Sequence, residues 1–460
     1  MITNDATLLK VKHEVLYEVA KLAYAGRLEE ERDSLPYKMV PGPQPAFRCC
    51  IYREREVIRQ RIRLAEGKAP GAEDDGNIVQ VINSACEGCP ISCEECSIAR
   101  YVVTDNCQKC MGKACQAACR FGAISMGRDK SYIDPSKCKE CGQCAKACPY
   151  NAIADLVRPC MKSCPVDAIS VADNGTGIAV INQDKCIQCG SCVHKCPFGA
   201  IGSKTFIVDI IKKMRSDIKV FAMLAPATIG QFGADITMAS WRPALKKIGF
   251  YDVVDVSLGA DMTAMSEAKE WIEAKEKGEK KTTSCCPAFK NYIEKHFPTL
   301  KDAISETVSP MCAVSRYIKE KFPGAVTVFI GPCIAKKAES MSGEKDTADY
   351  ALTYGEIRAM LRAKGVKLEP EEDTDDQGSI YGKKFANAGG VTAAVLESMK
   401  ELGCTGDVSV CKCSGITECK KALTLMKVGR LPEDFVEGMV CEGGCVGGPS
   451  RHRDPNLAMR

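Results

Sequence analysis

No stretch of about 18 apolar residues occurs in the 460-residue sequence, so nothing in it predicts a membrane-spanning helix. Met1 to Lys12 lacks the apolar core and small-residue cleavage site of a signal peptide, so export is not expected. Neither sign of charge dominates. The 63 Lys and Arg against 59 Asp and Glu leave a net +4, too weak and too evenly spread to predict a nucleic-acid partner. No G-x-G-x-x-G follows a predicted strand, so a nicotinamide or flavin would have to sit on another chain. At 45% hydrophobic and 27% charged, the composition is that of a folded globular protein of two or three domains, expected in the cytoplasm and away from membranes.

What is abundant is cysteine, 30 residues of it. Disulfides suit small secreted chains, so reduced, metal-binding thiols are the default here. The distribution divides the chain into an N-terminal helical extension (1–80), a cysteine-rich region (81–205) and a C-terminal α/β domain (206–460). The extension holds only Cys49 and Cys50, read as incidental thiols. It predicts helix over Leu16–Asp33 and Arg53–Glu66 on either side of a Pro/Gly connector, Val40–Phe47. In the last region, apolar runs at Phe206–Ile211, Val220–Leu224 and Val326–Ile330 predict buried strands. They alternate with helical patterns at Ala264–Lys275, Tyr354–Lys364 and Val391–Lys400, and Asp373–Gly382 reads as an exposed loop.

Eighteen cysteines fall between Cys86 and Cys196, leaving little room for an independent apolar core, so metal is expected to stabilise this region. Two runs, Cys138, Cys141, Cys144, Cys148 and Cys186, Cys189, Cys192, Cys196, have the C-x2-C-x2-C-x3-C-P spacing of bacterial ferredoxins. There three thiolates hold one 4Fe–4S cube and the fourth reaches to a second cube. Zinc wants two separated C-x2-C pairs closing one tetrahedron and fits this spacing poorly. Cys107, Cys110, Cys115, Cys119 form a looser run. Cys160-x3-Cys164-Pro165 reads as the second half of another. An Ala-Ile pair follows each fourth cysteine, which marks an internal repeat of α+β ferredoxin-like units.

By resemblance to multi-cluster ferredoxin subunits, Cys107, Cys110, Cys115 and Cys148 would hold one cube, and Cys138, Cys141, Cys144 and Cys119 another. Cys164 would complete the cube of Cys186, Cys189 and Cys192. Cys160 and Cys196 need two further ligands, and Cys86, Cys89, Cys93 and Cys96 can supply them. A zinc site in Cys86–Cys96 is the alternative. About four accessory cubes make an electron wire, whose downstream partner is then a redox site.

Three motifs in the last region carry cysteines in Gly/Pro contexts: Thr283-Ser284-Cys285-Cys286-Pro287, Gly331-Pro332-Cys333-Ile334-Ala335-Lys336-Lys337, and the stretch from Glu437 through Met439, Cys441 and Cys445 to Gly448. On the residues alone they suggest one more 4Fe–4S site assembled from distant loops, with glycines letting backbone approach a bulky inorganic ligand. Buried free cysteines beside glycine turns are the bland reading.

Together TSCCP, PCxAKK and ExMxCxGGCxxGG resemble the signature motifs of iron–iron hydrogenases, with variants like those of the group B branch. The resemblance covers Phe206 to the end and implies a two-lobed catalytic fold. It also implies an H-cluster, a 4Fe–4S cube joined to a two-iron unit carrying carbonyl, cyanide and azadithiolate. Cys286, Cys333, Cys441 and Cys445 would ligate the cube, with Cys445 bridging. Lys336 would donate to a cyanide, Ala225 and Pro226 would border the other cyanide, and Met439 would pack near the irons. Cys285, taken at an ordinary thiol pKa near about 8.5, would shuttle protons, with Glu267, Ser305 and Glu270 continuing the relay. The plain readings are a solvated helix lysine for Lys336 and a solvated acidic face for Glu267 and Glu270. Implied partners are ferredoxin or a similar low-potential carrier and hydrogenase maturation enzymes, with H2 and protons as substrates. A non-catalytic hydrogenase-like sensor, or an electron-transfer subunit of a larger complex, is the alternative function. Gly331, Met311 and Pro449-Ser450-Arg451 depart from the better-known members. Cys312, Cys404, Cys411, Cys413 and Cys419 have no assigned role.

Overall fold

The computed structural model describes residues 7–47, 50–70, 76–82, 99–172, 177–343, 347–372, 377–404 and 406–455. Cys49 and the four cysteines Cys86, Cys89, Cys93 and Cys96 lie outside the described residues. Among the described residues no helix is long and apolar enough to cross a membrane.

The N-terminal extension opens with the helix Leu8–Ala25, capped by the Thr7 side chain and ended by Gly26 in the left-handed region, φ 74°. Its buried stripe Val11, Val15, Val19 and Leu22 packs against the helices Ile51–Ala65, Ile207–Met214 and Tyr354–Ala363. The helix predicted over Leu16–Asp33 is therefore broken at Gly26. Buried Glu54 accepts the backbone N–H groups of Ala46 and Phe47, which ties the connector to the second helix.

The cysteine-rich region is built from three-residue strands in antiparallel pairs. Tyr101–Val103 pairs with Ile153–Asp155, Ile124–Met126 with Ser131–Ile133, and Ile169–Val171 with Ala179–Ile181. Val79–Val81 closes against Ile201–Ser203 and links the extension to the last unit.

The C-terminal region holds two parallel sheets. In the first, Val220–Leu224 lies between Asp252–Asp255 and Val326–Ile330, and Tyr350–Leu352 forms the far edge. In the second, Phe435–Met439 lies between Lys281–Thr282 and Val410–Ser414. Helices cover both, as parallel sheets require. The expected strand at Phe206–Ile211 is instead the helix Ile207–Met214. Ile207, Val208, Ile210 and Ile211 are buried while charged residues take the other face, a spacing that suits a helix better than a strand. The segment read as a loop after Asp373 carries a short helix, Ile380–Lys384, with the Ser379 hydroxyl accepting at its start.

Candidate cluster sites and active site

Each of four cysteines in the ferredoxin-like region is followed by the same local structure. Three residues after Cys119, Cys148, Cys164 and Cys196, the backbone turns left-handed at Gly122, Asn151, Asp167 and Gly199, with φ of 58°, 48°, 49° and 64°. That turn aims the next N–H back at sulfur. Ala123, Ala152, Ala168 and Ala200 donate to the four Sγ atoms at 3.4, 3.4, 3.2 and 3.3 Å. The following isoleucine starts a strand and is buried, which explains the repeated Ala-Ile pair. N–H donors on sulfur favour the thiolate and tune a bound cluster.

Cys119, Cys138, Cys141 and Cys144, the quartet expected to share one cube, line a single cavity with about 310 Å3 of empty space. Cys107 and Cys115 both meet the Ser131 hydroxyl, at 3.8 and 3.9 Å, and Cys148 packs in the same small core. Cys186, Cys189 and Cys164 crowd one another and Cys192 closely enough for their charges to interact, as does Cys160 with Cys192. Among the described residues no three His, Cys, Asp or Glu side chains converge tightly enough to grip a single metal ion.

In the C-terminal region the strand ends converge. Val220–Leu224 runs into Ala225-Pro226-Ala227 and Val326–Ile330 into Gly331-Pro332-Cys333, clamped by the Ala225 N–H on Ile330 O at 2.9 Å. From the second sheet, Lys281–Thr282 leads to Cys285 and Cys286, and Phe435–Met439 to Cys441 and Cys445. Carboxyl ends of parallel strands are where α/β proteins place their sites. Here they enclose an almost wholly apolar cavity with about 770 Å3 of empty space. Cys285, Cys286, Cys333, Cys441, Cys445, Lys336, Ala225, Pro226 and Met439, all singled out in the sequence, lie on its wall.

Burial pushes Cys286, Cys333, Cys441 and Cys445 above the ordinary thiol value, and repulsion from neighbouring thiols adds to it at Cys333, Cys441 and Cys445, taking Cys333 to about 12. Such a group holds its protons until a cation replaces them. Lys336 is buried, not solvated. Burial works against its charge, but Glu339, Cys312 and Cys333 outweigh that and hold it above the usual lysine value. Its ammonium pairs with Glu339 Oε2 at 2.6 Å, and no other partner among the described residues takes its remaining N–H donors. Four thiols, apolar walls and one unsatisfied donor fit a sulfur-ligated metal group with an anionic acceptor on it.

The acid/base residues form a second line. Cys285 is buried, and burial first, then Glu267, raises its pKa well above the ordinary value. The expectation of an unperturbed thiol is thus corrected: Cys285 is held neutral. Glu267, on the helix Ser257–Glu276, is wholly buried, with both oxygens lacking a hydrogen-bond partner among the described residues. Burial and the nearby Glu270 and Glu437 raise it well above 4.5. Glu270 reaches the edge of the protein. It accepts from Ser305 Oγ at 2.6 Å and Thr307 Oγ1 at 3.2 Å, and Lys281 Nζ lies 3.6 Å away.

Several contributors went unnoticed in the sequence. Glu437 is fully buried and caps the helix Gly390–Glu401, accepting from the N–H groups of Gly389 and Thr392 at 2.8 and 2.9 Å. Its signal was its place at the head of the third motif. Glu339 also receives the Ser309 hydroxyl at 2.7 Å and lies by Cys312. The motif glycines mainly admit the protein's own backbone: a Cβ on Gly444 would meet Ala386 O at 2.5 Å, and one on Gly448 Pro332 O at 2.7 Å. At Gly331 the missing side chain's space is taken by the Phe329 ring, 2.8 Å from where a Cβ would stand. Of the unassigned thiols, Cys411 and Cys413 lie 3.9 Å apart and Cys419 donates to Met439 O at 3.6 Å.

Residues 218–449 match the family described as iron only hydrogenase large subunit, C-terminal domain. The chain belongs to the iron-only hydrogenase family. Residues 131–154 match a 4Fe-4S binding domain and 158–200 a 4Fe-4S dicluster domain, so this hydrogenase-like chain carries ferredoxin-type units. Iron hydrogenase 1 of Clostridium pasteurianum is 30% identical over 385 residues, 71% of this chain and 66% of that protein. The periplasmic iron hydrogenase large subunit of Nitratidesulfovibrio vulgaris is 28% identical over 305 residues, 54% of this chain and 72% of that one. A solved FeFe-hydrogenase from a study of stepwise H-cluster assembly aligns with TM-score 0.46 at 22% identity, covering 55% of this chain and 87% of its own.

Proposed function

We propose that the chain is a hydrogenase catalysing 2 H+ + 2 e− ⇌ H2 at an H-cluster, with electrons passing between the site and ferredoxin or a similar low-potential carrier. The observation that carries this reading is the meeting of Cys286, Cys333, Cys441 and Cys445, from three separate loops, with Lys336 and neutral Cys285 on one apolar cavity. Cys286, Cys333, Cys441 and Cys445 would hold the cube, with Cys445 the thiolate shared with the two-iron unit. Lys336 would donate to an anionic ligand of that unit, and Ala225, Pro226 and Met439 would wall it in. When bound, the H-cluster supplies the electron-pair chemistry that interconverts protons and H2.

The chain's own residues handle the proton. Cys285 gives or takes it at Sγ at the cavity wall, and its raised pKa keeps it protonated between turnovers. Glu267, neutral for the same reason, passes it toward Ser305 Oγ and Glu270, which opens to solvent. Apolar walls exclude water from the site. Cys189 lies near enough to Cys441 for their charges to interact, so the cube of Cys164, Cys186, Cys189 and Cys192 is the last step of the wire. About four accessory cubes fill the 81–205 region, one of them completed by cysteines among Cys86–Cys96. Maturation enzymes install the two-iron unit.

The test is H2 evolution from reduced viologen by the matured chain, with Cys285→Ala beside it. Turnover in the parent and a loss of about a hundredfold or more in the variant are expected. A fully loaded parent without turnover contradicts the reading and returns the chain to the sensor or electron-transfer alternative.

A further inference from the structure

A second and larger cavity, with about 1620 Å3 of empty space, lies where the N-terminal helix, the last ferredoxin-like unit and the C-terminal region meet. Its wall carries Lys10, Lys12, His13, Arg358, Arg451 and His452. His194 joins them, so three of the chain's four histidines face this one space. Glu356 is the only carboxylate on the wall among the described residues. It is already engaged, by the Lys337 ammonium on one oxygen and the Thr353 N–H at 2.6 Å on the other.

The cations are braced by carbonyls instead of neutralised by acids. Lys12 Nζ donates to Val193 O at 3.4 Å, and Arg451 Nη1 to Gly447 O at 2.9 Å. Among the described residues no ion pair joins Lys10, Lys12, Arg358 or Arg451 to a carboxylate. The crowding is felt within the wall. Burial and then Arg358 bring His452 down to about 4. Burial and then Arg61 bring Lys12 down to about 8, against the pull of Cys196.

Like charges that outnumber the acids around a concave, partly desolvated space are relieved by a bound anion, and such a cleft concentrates anions. The donors are of the kinds that grip phosphate oxygens: guanidinium forks, ammonium groups and the Ser450 hydroxyl. Lys10, Lys12 and His13 lie outside the hydrogenase match, and Arg451 and His452 just beyond its end. Arg451 also sits where the family resemblance calls for a glycine-rich continuation.

We propose that this cavity binds a small molecule carrying a diphosphate or triphosphate group. Free polyphosphate and a nucleotide share that chemistry. The inference rests on the wall alone and not on the H2 reading.

The test is isothermal titration of the full-length, cluster-loaded chain with pyrophosphate and, separately, ADP. Saturable one-to-one binding that weakens with added salt is expected from both. Tighter ADP binding would identify a nucleotide, and equal binding the phosphates alone. Arg358→Gln with Arg451→Gln should weaken binding at least about tenfold while leaving the cluster absorbance unchanged, and Arg358→Lys with Arg451→Lys should recover most of it. Lys301→Glu, on an exposed segment elsewhere, should change nothing. The proposal is overturned if neither ligand gives saturable heat up to about 1 mM. Undiminished binding in the double Gln variant, or binding confined to long polyanions such as heparin, would overturn it equally.

Discussion

Between Tyr101 and Ser203 the described strands are three residues long, and the first unit's core amounts to Tyr101, Val103, Ile124, Ile133, Cys144 and Ile153. From Val220 onward, two parallel sheets and their helices bury several large clusters, and the cysteines of interest hang from the ends of strands. The first region positions sulfur through local backbone: a left-handed turn, an N–H on Sγ, a short hairpin. The second positions it through long-range packing that stands whether or not sulfur is ligated. One region therefore depends on its metal for its shape, and the other offers its metal a cavity.

The largest effect that separates them is iron removal. Chelation under reducing conditions should collapse amide-exchange protection across 101–203 while 220–440 keeps most of its protection. Equal loss in both regions would break the comparison.

A smaller effect is expected at Glu437, which stitches a strand to a helix across the second sheet. Glu437→Gln keeps the shape but weakens the helix cap, and should lower stability by about 1–3 kcal/mol in denaturant unfolding. An unchanged midpoint would show that the long-range framework does not rely on this carboxylate.

The third effect is one of pH. Glu267 is raised above its ordinary 4.5 in the fold, mainly by burial. Its contribution is therefore complete below about 4.5 and drains away as pH climbs toward the higher folded value, because the buried acid resists ionising. Glu267→Gln should flatten that alkaline-side decline in stability measured by thermal melting across pH. A variant that tracks the parent at every pH would contradict the buried neutral acid.

The same contrast sets what the sequence made legible. Ferredoxin-like spacing could be read directly because its geometry is local. Cys138, Cys141 and Cys144 lie within seven residues, whereas the place of Cys119 on the same cavity came only from likeness to multi-cluster ferredoxins. The three C-terminal motifs suggested by their Gly/Pro contexts a site assembled from distant loops, and family likeness gave its kind, but neither showed the apolar cavity that Cys286, Cys333 and Cys441 share. Phe206–Ile211 misled because six residues are too short a run for the helical spacing of Ile207, Val208, Ile210 and Ile211 to stand out before Lys212 and Lys213 are counted with them. Glu437 looked like one more acidic residue until its helix partner was in view. The cationic cavity was invisible, since Lys12, Arg358 and Arg451 stand far apart in a chain whose net charge is only +4.

If the proposed function holds, the apolar cavity behind Cys286, Cys333, Cys441 and Cys445 takes up an H-cluster with Lys336 donating to it. The infrared spectrum of the matured chain tests this most directly. Carbonyl and cyanide bands are predicted, with the cyanide bands displaced more than the carbonyl bands in Lys336→Met. A chain with full accessory clusters and no such bands would contradict it.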